Sequence, residues 1–372
     1  MKPRPWIREI ETFFGPRTVS EYLKNCALRL TQDRLLENSY DPATKRLIIF
    51  LTPGDDRVDG GIMSYSSIYE ETKKLKGIHG AETVMCTIPG HPPLLRYTKF
   101  PNKNYIFRFP QVLAYFQNLE SLMIHIEPWI YISQFLRNMR PIDYVRLRKI
   151  KDLHFNLIIQ NVDYLSPVDD VAELKKFGRL TCTTAHEKYS TPELSQRYGC
   201  PLYKFSVFVS PEKYTRKAYN EKENLMIVSP DPHPIKREVL SLIAKRLPKL
   251  KLQIIKNLTY EEYKQVISRA KWALTFGEGL DGYFVETIFS GGISFSAYNP
   301  KFFTEDFRSL RTVYDNYDAL IQEICSDISD LDNKITYAKY QNEQFRLCHK
   351  YYDHKQYIEN LTSFYKGEYT YE

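Results

Sequence analysis

The sequence contains no apolar run that approaches the roughly 20 residues needed to cross a bilayer as a helix. Its N-terminus, Met1-Lys-Pro-Arg-Pro-Trp6, leads into no apolar signal-peptide core. The six cysteines show no C-x-x-C spacing, and most of them lie in apolar runs typical of buried free thiols. These absences favour a reducing cytoplasm as the location of the protein.

Motifs for metal and hydrolytic chemistry are also missing. No group of His, Cys and carboxylate residues has metal-ligand spacing, and no G-x-S-x-G or Cys–His pairing indicates nucleophilic hydrolysis. Asp330-Leu-Asp332 is the only notable D-x-D motif, but no strand precedes it, so we interpret it as a solvated turn. The sequence therefore predicts neither a metal site nor a cofactor.

The charge balance is modestly basic. Lys and Arg number 52 against 45 Asp and Glu, which gives a net charge of +7. This excess suits an anionic ligand or an anionic membrane surface. The basic residues occur as scattered pairs such as Lys73-Lys74 and Lys175-Lys176, not as the dense stripe that a nucleic acid requires. We therefore expect no nucleic-acid partner.

A chain of 372 residues, 43% of them hydrophobic, fits about two globular domains. Short apolar runs alternate with helical segments, which predicts parallel sheets with crossover helices. In the first half, candidate strands end at Thr52, Thr87, Arg108, Ile126, Gln160, Thr184 and Val209. In the second half, candidate strands are Leu225–Val228, Leu250–Ile255, Trp272–Phe276 and one beginning at Ile293.

The boundaries follow from changes in this pattern. Residues 1–45 form a helical preface, 46–222 the first α/β domain and 223–345 the second. A polar, lysine-bearing linker, Glu212–Asn224, joins the two domains. Residues 346–372 form a tyrosine-rich helical tail, long enough to cross back to the first domain.

The most informative stretch runs from Ala273 to Ala297. It predicts a buried strand, a glycine loop that carries Glu278, and a helix that begins near Gly282 and contains Glu286. The first turn of such a helix presents unpaired backbone N–H groups and the positive end of the helix dipole. A diphosphate group would bind there.

The two glutamates, separated by seven residues with glycines between them, resemble the C-terminal motif of retaining GT-B glycosyltransferases of family 4. Glu278, Gly279, Glu286 and Gly291 match that motif, whereas the second loop glycine falls one place later, at Gly282, and Ile293 replaces the motif's proline. The resemblance implies two Rossmann-like domains with an interdomain cleft and a helical C-terminal tail. It covers residues 46 to about 300 by order of elements.

The resemblance also implies roles for these residues. Glu278 would hold hydroxyls of the donor sugar and Glu286 the ribose hydroxyls, while backbone groups of Gly279, Gly282, Tyr283 and Phe284 would face the diphosphate. The loop Ser229–Arg237 follows the first strand of the second domain, where the family supplies an arginine and a lysine. Lys236 falls near the lysine's place and Arg237 is adjacent, but Asp231 stands at the arginine's place. Alternatively, Lys236 and Arg237 are exposed residues of a helical first turn.

In the first domain, Gly60-Gly61 resembles the glycine loop that faces acceptor and phosphate in GT-B enzymes, with Arg57 beside it; a plain tight turn is the alternative. The family often places a histidine after a strand of this domain to contact the donor sugar. Three polar residues compete for that position: His186 by residue type, Asn161 by its spacing from Val209, and His125. A lone histidine is more often a structural residue.

The sequence thus predicts a metal-independent, retaining glycosyltransferase that uses a nucleotide-diphosphate sugar. The N-terminal stripe of Trp6, Ile7, Ile10, Phe13 and Phe14, flanked by arginines, suggests peripheral contact with the inner face of a membrane, although packing on its own domain explains it too. The acceptor would then be a glycan or lipid-linked molecule of cell-surface polysaccharide or lipooligosaccharide synthesis. Two alternatives remain open: a nucleotide-sugar 2-epimerase of the same fold, and a non-catalytic GT-B partner subunit.

Overall fold

The computed structural model describes residues 16–127, 132–205 and 209–371, with side chains from residue 20 onward. Its strands belong to two separate sheets, and every pairing between the described strands is parallel. The first sheet contains β1 (Arg46–Thr52), β2 (Glu82–Thr87), β3 (Ile106–Arg108), β4 (Ser121–Ile126), β5 (Asp152–Ile159), β6 (Arg179–Thr184) and β7 (Leu202–Lys204). The second contains β8 (Glu223–Val228), β9 (Lys251–Ile254), β10 (Ala270–Leu274), β11 (Ile293–Ala297) and β12 (Val313–Tyr314).

The helices precede, connect or follow these strands. Those of the first half are α1 (Pro16–Ser39), α2 (Gly60–Lys74), α3 (Lys76–His79), α4 (Phe109–Tyr115), α5 (Ile132–Asn138), α6 (Pro141–Arg148), α7 (Val168–Lys175) and α8 (Pro192–Tyr198). Those of the second half are α9 (Lys236–Arg246), α10 (Tyr260–Arg269), α11 (Gly282–Phe289), α12 (Tyr317–Leu331), α13 (Lys334–Tyr351) and α14 (His354–Lys366). Within the described residues, no helix is both long enough and apolar enough to cross a membrane.

The strand order confirms the α/β prediction of two Rossmann-like sheets. The first sheet runs β3-β2-β1-β4-β5-β6-β7 and the second β12-β11-β10-β8-β9. In each sheet the chain adds strands first toward one edge and then toward the other, and the change of direction, the reversal point, lies between β1 and β4 in the first sheet and between β8 and β10 in the second. Ligands of open α/β sheets bind in the crevice outside such reversal points, so the strand order predicts a ligand site at the loops after these four strands.

Most strand ends lie where the apolar runs predicted them, but four differ. β7 ends at Lys204 and not at Val209: among the described residues, Leu202–Lys204 pair with β6, and residues 206–208 lie outside the described part of the chain. β5 ends at Ile159, one residue before Gln160, and β9 ends at Ile254, one residue before Ile255. β10 is Ala270–Leu274 and not Trp272–Phe276. In the preface, the structure describes helix α1; the aromatic stripe from Trp6 to Phe14 lies outside the described residues.

Helix α14 and the last residues of the chain pack on the first sheet. Leu202 of β7 forms an antiparallel bridge with Tyr371, in which each backbone N–H donates to the carbonyl of the other residue. Tyr365 of α14 reaches into the sheet, where its hydroxyl lies 3.0 Å from Nε2 of His125 and 2.9 Å from Oγ1 of Thr72. The tail therefore begins beside the second sheet and ends on the first, so it joins the two halves of the chain.

Candidate functional site

The two sheets bring their loops together at the carboxyl ends of their strands. Asn161 follows β5 in the first sheet, and Glu278 follows β10 in the second. The Asn161 side-chain amide donates a hydrogen bond to Oε1 of Glu278. A second link lies nearby, where Nζ of Lys301 is 2.5 Å from Oδ1 of Asp163. Two residues predicted independently as catalytic candidates are thus in direct contact across the interdomain cleft.

The environment of Glu278 disfavours its charged form. Burial raises the pKa of this carboxyl to about 7, and the nearby carboxylates of Asp231 and Asp163 also raise it, against the lowering effect of the Asn161 hydrogen bond. Near neutral pH the group is therefore divided between its acid and carboxylate forms. It can both donate and accept hydrogen bonds, which suits contact with sugar hydroxyls.

The loop that holds Glu278 depends on the glycine after it. Gly279 has a φ of +82°, and a Cβ atom there would lie 2.7 Å from both Phe303 and the hydroxyl oxygen of Ser296. The Gly279 carbonyl accepts a 2.8 Å hydrogen bond from Thr275. Gly279 is thus required for the shape of the loop, as expected for a motif residue, and its tight packing fixes the position of Glu278.

Helix α11 begins at Gly282, as predicted, but its first turn is already capped. Oδ1 of Asp281 accepts a 2.9 Å hydrogen bond from the backbone N–H of Phe284. Tyr283 is half-buried beside it, and its ring packs edge-on against Tyr263. The Phe284 N–H, predicted to face a diphosphate, therefore donates to Asp281 in this structure, and burial raises the pKa of this carboxyl well above its ordinary value. An anion at this helix end would have to share it with Asp281.

Glu286 lies inside helix α11 and is 4% exposed. The hydroxyl of Tyr260 is 3.5 Å from its Oε1. Burial raises the pKa of Glu286 to about 7, and the hydroxyls of Tyr263, Tyr214 and Tyr260 act in the opposite direction. The carboxyl group therefore faces the hydroxyls of these tyrosines. A ribose would have to share the carboxyl oxygens with the tyrosine hydroxyls or replace them as hydrogen-bond donors.

Lys236 opens helix α9, directly after the proline-rich loop that follows β8. Its ammonium group donates hydrogen bonds to the carbonyls of Ser229, at 2.5 Å, and Asp231, at 2.9 Å, and lies 5.4 Å from the centre of the Phe276 ring. Arg237 is exposed, and both Lys236 and Arg237 line an open groove with Asp231, Leu240 and Ile254. Lys236 thus lies at the reversal point of the second sheet, and Arg237 is the more exposed cation of the same groove.

Gly60 and Gly61 begin helix α2, in the loop that follows β1 at the reversal point of the first sheet. Asp59 caps the helix by accepting a 2.8 Å hydrogen bond from the Ile62 N–H, and the guanidinium of Arg57 lies 3.2 Å from the same carboxylate group. The Gly61 carbonyl accepts a hydrogen bond from Gln160, the neighbour of Asn161. Gly60 and Gly61 therefore border the cleft. A Cβ atom added at Gly60 would have no neighbouring atom within 4 Å, so this position has room for a side chain.

The structure separates the three candidates for the sugar-contacting position. His125 is fully buried within the first sheet. Its ring nitrogens form hydrogen bonds of 3.0 Å with the Tyr365 hydroxyl and with the Asn156 side-chain amide, so it is a structural residue. His186 lines a small pocket with Leu280, Phe302 and Tyr352, and burial lowers its pKa to about 4. Of the three, Asn161 is the one that contacts Glu278.

Sequence reasoning missed the carboxylates and tyrosines that surround the motif. Asp281 could have been found, because an aspartate directly before a helix is a strong capping signal. The group of Tyr214, Tyr260 and Tyr263 could not, because Tyr214 belongs to the linker and meets the others only in the folded chain. Across residues 16–127, 132–205 and 209–371, no three or more His, Cys, Asp or Glu side chains are grouped to hold a metal ion.

No protein-family model and no curated protein matches the chain. Solved structures do resemble it. The HepE protein of Anabaena in complex with UDP-glucose aligns with a TM-score of 0.52 at 8% identity, over 86% of this chain and 99% of that one. Sucrose-phosphate synthase from Thermosynechococcus elongatus aligns with a TM-score of 0.51 at 10% identity, over 87% and 99%.

An E. coli trehalose-6-phosphate structure bound with UDP-2-fluoro glucose aligns in the same way, with a TM-score of 0.51 at 9% identity over 86% of this chain and 99% of that one. At such low identity the likeness establishes the fold and not the activity. The alignments extend over nearly the whole of each known structure, so they include both sheets and their order. The chain therefore has the GT-B fold.

Proposed function

We propose that the protein is a glycosyltransferase that transfers a sugar from a nucleotide-diphosphate donor, with retention of anomeric configuration. The observation that carries this proposal is the contact between Asn161 and Glu278, because it places polar groups from both sheets at one point of the cleft. The bound molecules in the similar structures, UDP-glucose and UDP-2-fluoro glucose, support a nucleotide-sugar donor.

In this proposal the donor sugar lies against Glu278 and Asn161, and the ribose against Glu286. The leaving group is a nucleoside diphosphate, whose growing negative charge is stabilised by Lys236 and by the N–H groups of Gly282 and Tyr283, which precede the capped Phe284 N–H in the α11 first turn. The leaving phosphate takes the proton of the acceptor hydroxyl, so no strong protein base is required. Neither a metal ion nor a cofactor takes part.

We further propose a glycan or lipid-linked acceptor and peripheral contact with a membrane. Helix α1 exposes Tyr22, Leu23 and Leu30, at 68%, 48% and 60% of their surfaces. Exposed Lys24 and Arg34 lie on the same helix, together with exposed Glu21 and Glu37. Apolar and basic groups together on one exposed helix suit an anionic lipid surface. An acceptor that is itself held in that surface would be presented to the cleft.

Two measurements test the donor and the reaction. Calorimetry with UDP, GDP and dTDP in EDTA should show that one of them binds. Incubation with a panel of nucleotide sugars, with and without membrane lipid extract, should then give transfer that depends on the extract. Nucleotide binding only with added Mg²⁺ or Mn²⁺ would contradict the metal-independent proposal, and epimer formation without an acceptor would identify a 2-epimerase.

One observation favours a second candidate, a non-catalytic GT-B partner subunit. The helix end expected to hold the diphosphate is capped by Asp281, and Asp231 stands where the resembling family supplies an arginine. The cap occupies an N–H that a diphosphate would use, and a carboxylate in place of an arginine weakens the attraction for the diphosphate. If no nucleotide or nucleotide sugar binds in the measurements above, this candidate replaces the enzyme.

A further inference from the structure

Two cysteine thiols lie side by side in the first sheet, outside the cleft. Sγ of Cys182, on β6, is 3.3 Å from Sγ of Cys200, in the turn between α8 and β7. Both side chains are buried, and the backbone N–H of Cys182 donates a 2.8 Å hydrogen bond to the carbonyl of Pro201. A disulfide requires sulfurs about 2.05 Å apart, so the pair needs to close by little more than one ångström.

The surroundings hold Cys200 in place and favour its thiolate. Ser195 donates a 2.8 Å hydrogen bond to the Cys200 carbonyl, and Nζ of Lys175 is 2.7 Å from the carbonyl of Gly199. The hydrogen bond from Cys182 and the positive charge of Lys175 lower the pKa of Cys200 against the opposing effect of its burial, whereas burial raises the pKa of Cys182. Cys200 is therefore the better nucleophile of the two.

We propose that Cys182 and Cys200 are a redox modification site that a hydroperoxide converts to a reversible disulfide. The Cys200 thiolate attacks one peroxide oxygen, so that an S–O bond forms and the O–O bond breaks. The Cys182 sulfur then attacks the Cys200 sulfur, forms the S–S bond and displaces hydroxide, which leaves as water with the thiol proton. With hydrogen peroxide, two thiols lose two electrons and one peroxide becomes two waters.

The disulfide would close the chain between β6 and β7 into a covalent loop. That loop contains His186, which follows β6, and helix α8. Closing it restricts the unfolded chain and so stabilises the folded protein. The oxidised protein should unfold at a higher temperature than the reduced protein, and dithiothreitol should reverse the difference.

The test uses the intact wild-type chain, reduced and then treated with hydrogen peroxide under native conditions. After denaturation, the number of titratable thiols should fall from six to four, and peptide mapping should find Cys182 joined to Cys200. The variant Cys86→Ser, which removes a buried cysteine of β2, should still form this cross-link, whereas Cys200→Ser should not. Six remaining thiols in the treated wild type, or oxidation without the Cys182–Cys200 cross-link, would overturn the proposal.

Discussion

The side-chain amide of Asn161 donates a hydrogen bond to the carboxyl group of Glu278, and this contact joins the loops of the two sheets at the bottom of the cleft. A sugar held by Glu278 must share the carboxyl group with Asn161 or displace it. The two residues would therefore act on the same ligand, which links the first sheet to the donor site of the second.

The raised pKa of Glu278 has a consequence for stability. Its pKa is 4.5 before burial and about 7 in the folded protein. As the pH rises from 4.5 to 7, the unfolded chain releases this proton first, so the folded state becomes progressively less stable. Glu278→Gln keeps an oxygen for Asn161 but cannot ionise, and it should stabilise the protein at pH 8 by on the order of 1–3 kcal/mol relative to wild type.

Urea unfolding of both proteins at pH 4.5 and pH 8 measures this difference, which should nearly vanish at the lower pH. Glu37→Gln, which removes an exposed carboxylate of α1, is the matched control and should change stability little at either pH. If the free energies of unfolding of wild type and Glu278→Gln differ by the same amount at both pH values, the pKa of Glu278 is not raised in the folded protein.

The two motif glutamates should affect binding and transfer differently. If Glu286 accepts hydrogen bonds from the ribose, each lost bond costs about 1.5–3 kcal/mol, and Glu286→Ala should weaken nucleotide binding at least about tenfold. Glu278→Ala should leave nucleotide affinity nearly unchanged and abolish transfer. Calorimetry and a transfer assay measure the two effects, with Glu323→Ala, which removes an exposed glutamate of α12, as a control that should change neither. Equal losses of nucleotide affinity in both alanine variants would refute the division of roles.

Asp281 caps helix α11, and its capping role can be separated from any charge effect on the nucleotide. Burial raises the pKa of Asp281 well above its ordinary value, so the neutral carboxyl form is favoured. Asn caps helices about as well as Asp, so Asp281→Asn should preserve the hydrogen bond to Phe284 and change nucleotide affinity by less than about threefold, as measured by calorimetry. Asp281→Ala removes the cap and should lower the midpoint of thermal unfolding. A rise in nucleotide affinity of about tenfold or more in Asp281→Asn would show that Asp281 is charged and repels the diphosphate.

Local patterns in the sequence were sufficient for most of the fold. Apolar runs located strands such as β1 and β8 closely, and glycines located the start of α11. Because parallel strands point the same way, their following loops share one edge, which is why Asn161 and Glu278 could be predicted near each other. Edge strand β7 was less predictable, since its length depends on how far β6 can pair with it.

Contacts between distant parts of the chain could not be predicted. The choice among His125, Asn161 and His186 depended on which strand of the first sheet faces Glu278, and residue type alone favoured a histidine. His125 is instead fixed by Tyr365, which lies 240 residues further along the chain. The sequence pattern around His125 carries no sign of that partner.

The Tyr365 hydroxyl anchors the C-terminal helix to the first sheet. Tyr365→Phe removes this hydroxyl and leaves His125 Nε2 and Thr72 Oγ1 without their partner in a buried site. The cost should be about 1–3 kcal/mol in the free energy of unfolding, measured with urea. Tyr22→Phe removes an exposed hydroxyl from α1 and should have little effect. Equal stability of Tyr365→Phe and Tyr22→Phe would show that the hydroxyl does not anchor the helix.

The exposed apolar face of α1 tests the proposed membrane contact. Leu23 and Leu30 lie seven residues apart, on one side of the helix, and are 48% and 60% exposed. Wild-type protein should float with anionic vesicles at low salt and less at high salt, because each basic residue near the surface contributes about 1 kcal/mol. The double variant Leu23→Ser/Leu30→Ser should float less, as should a chain without residues 1–20. Ile335→Ser, which changes an exposed residue of α13, is the control and should float like wild type.

If wild-type protein floats with neither neutral nor anionic vesicles, the basis for a membrane-bound acceptor is removed, and a soluble glycan becomes the acceptor to test.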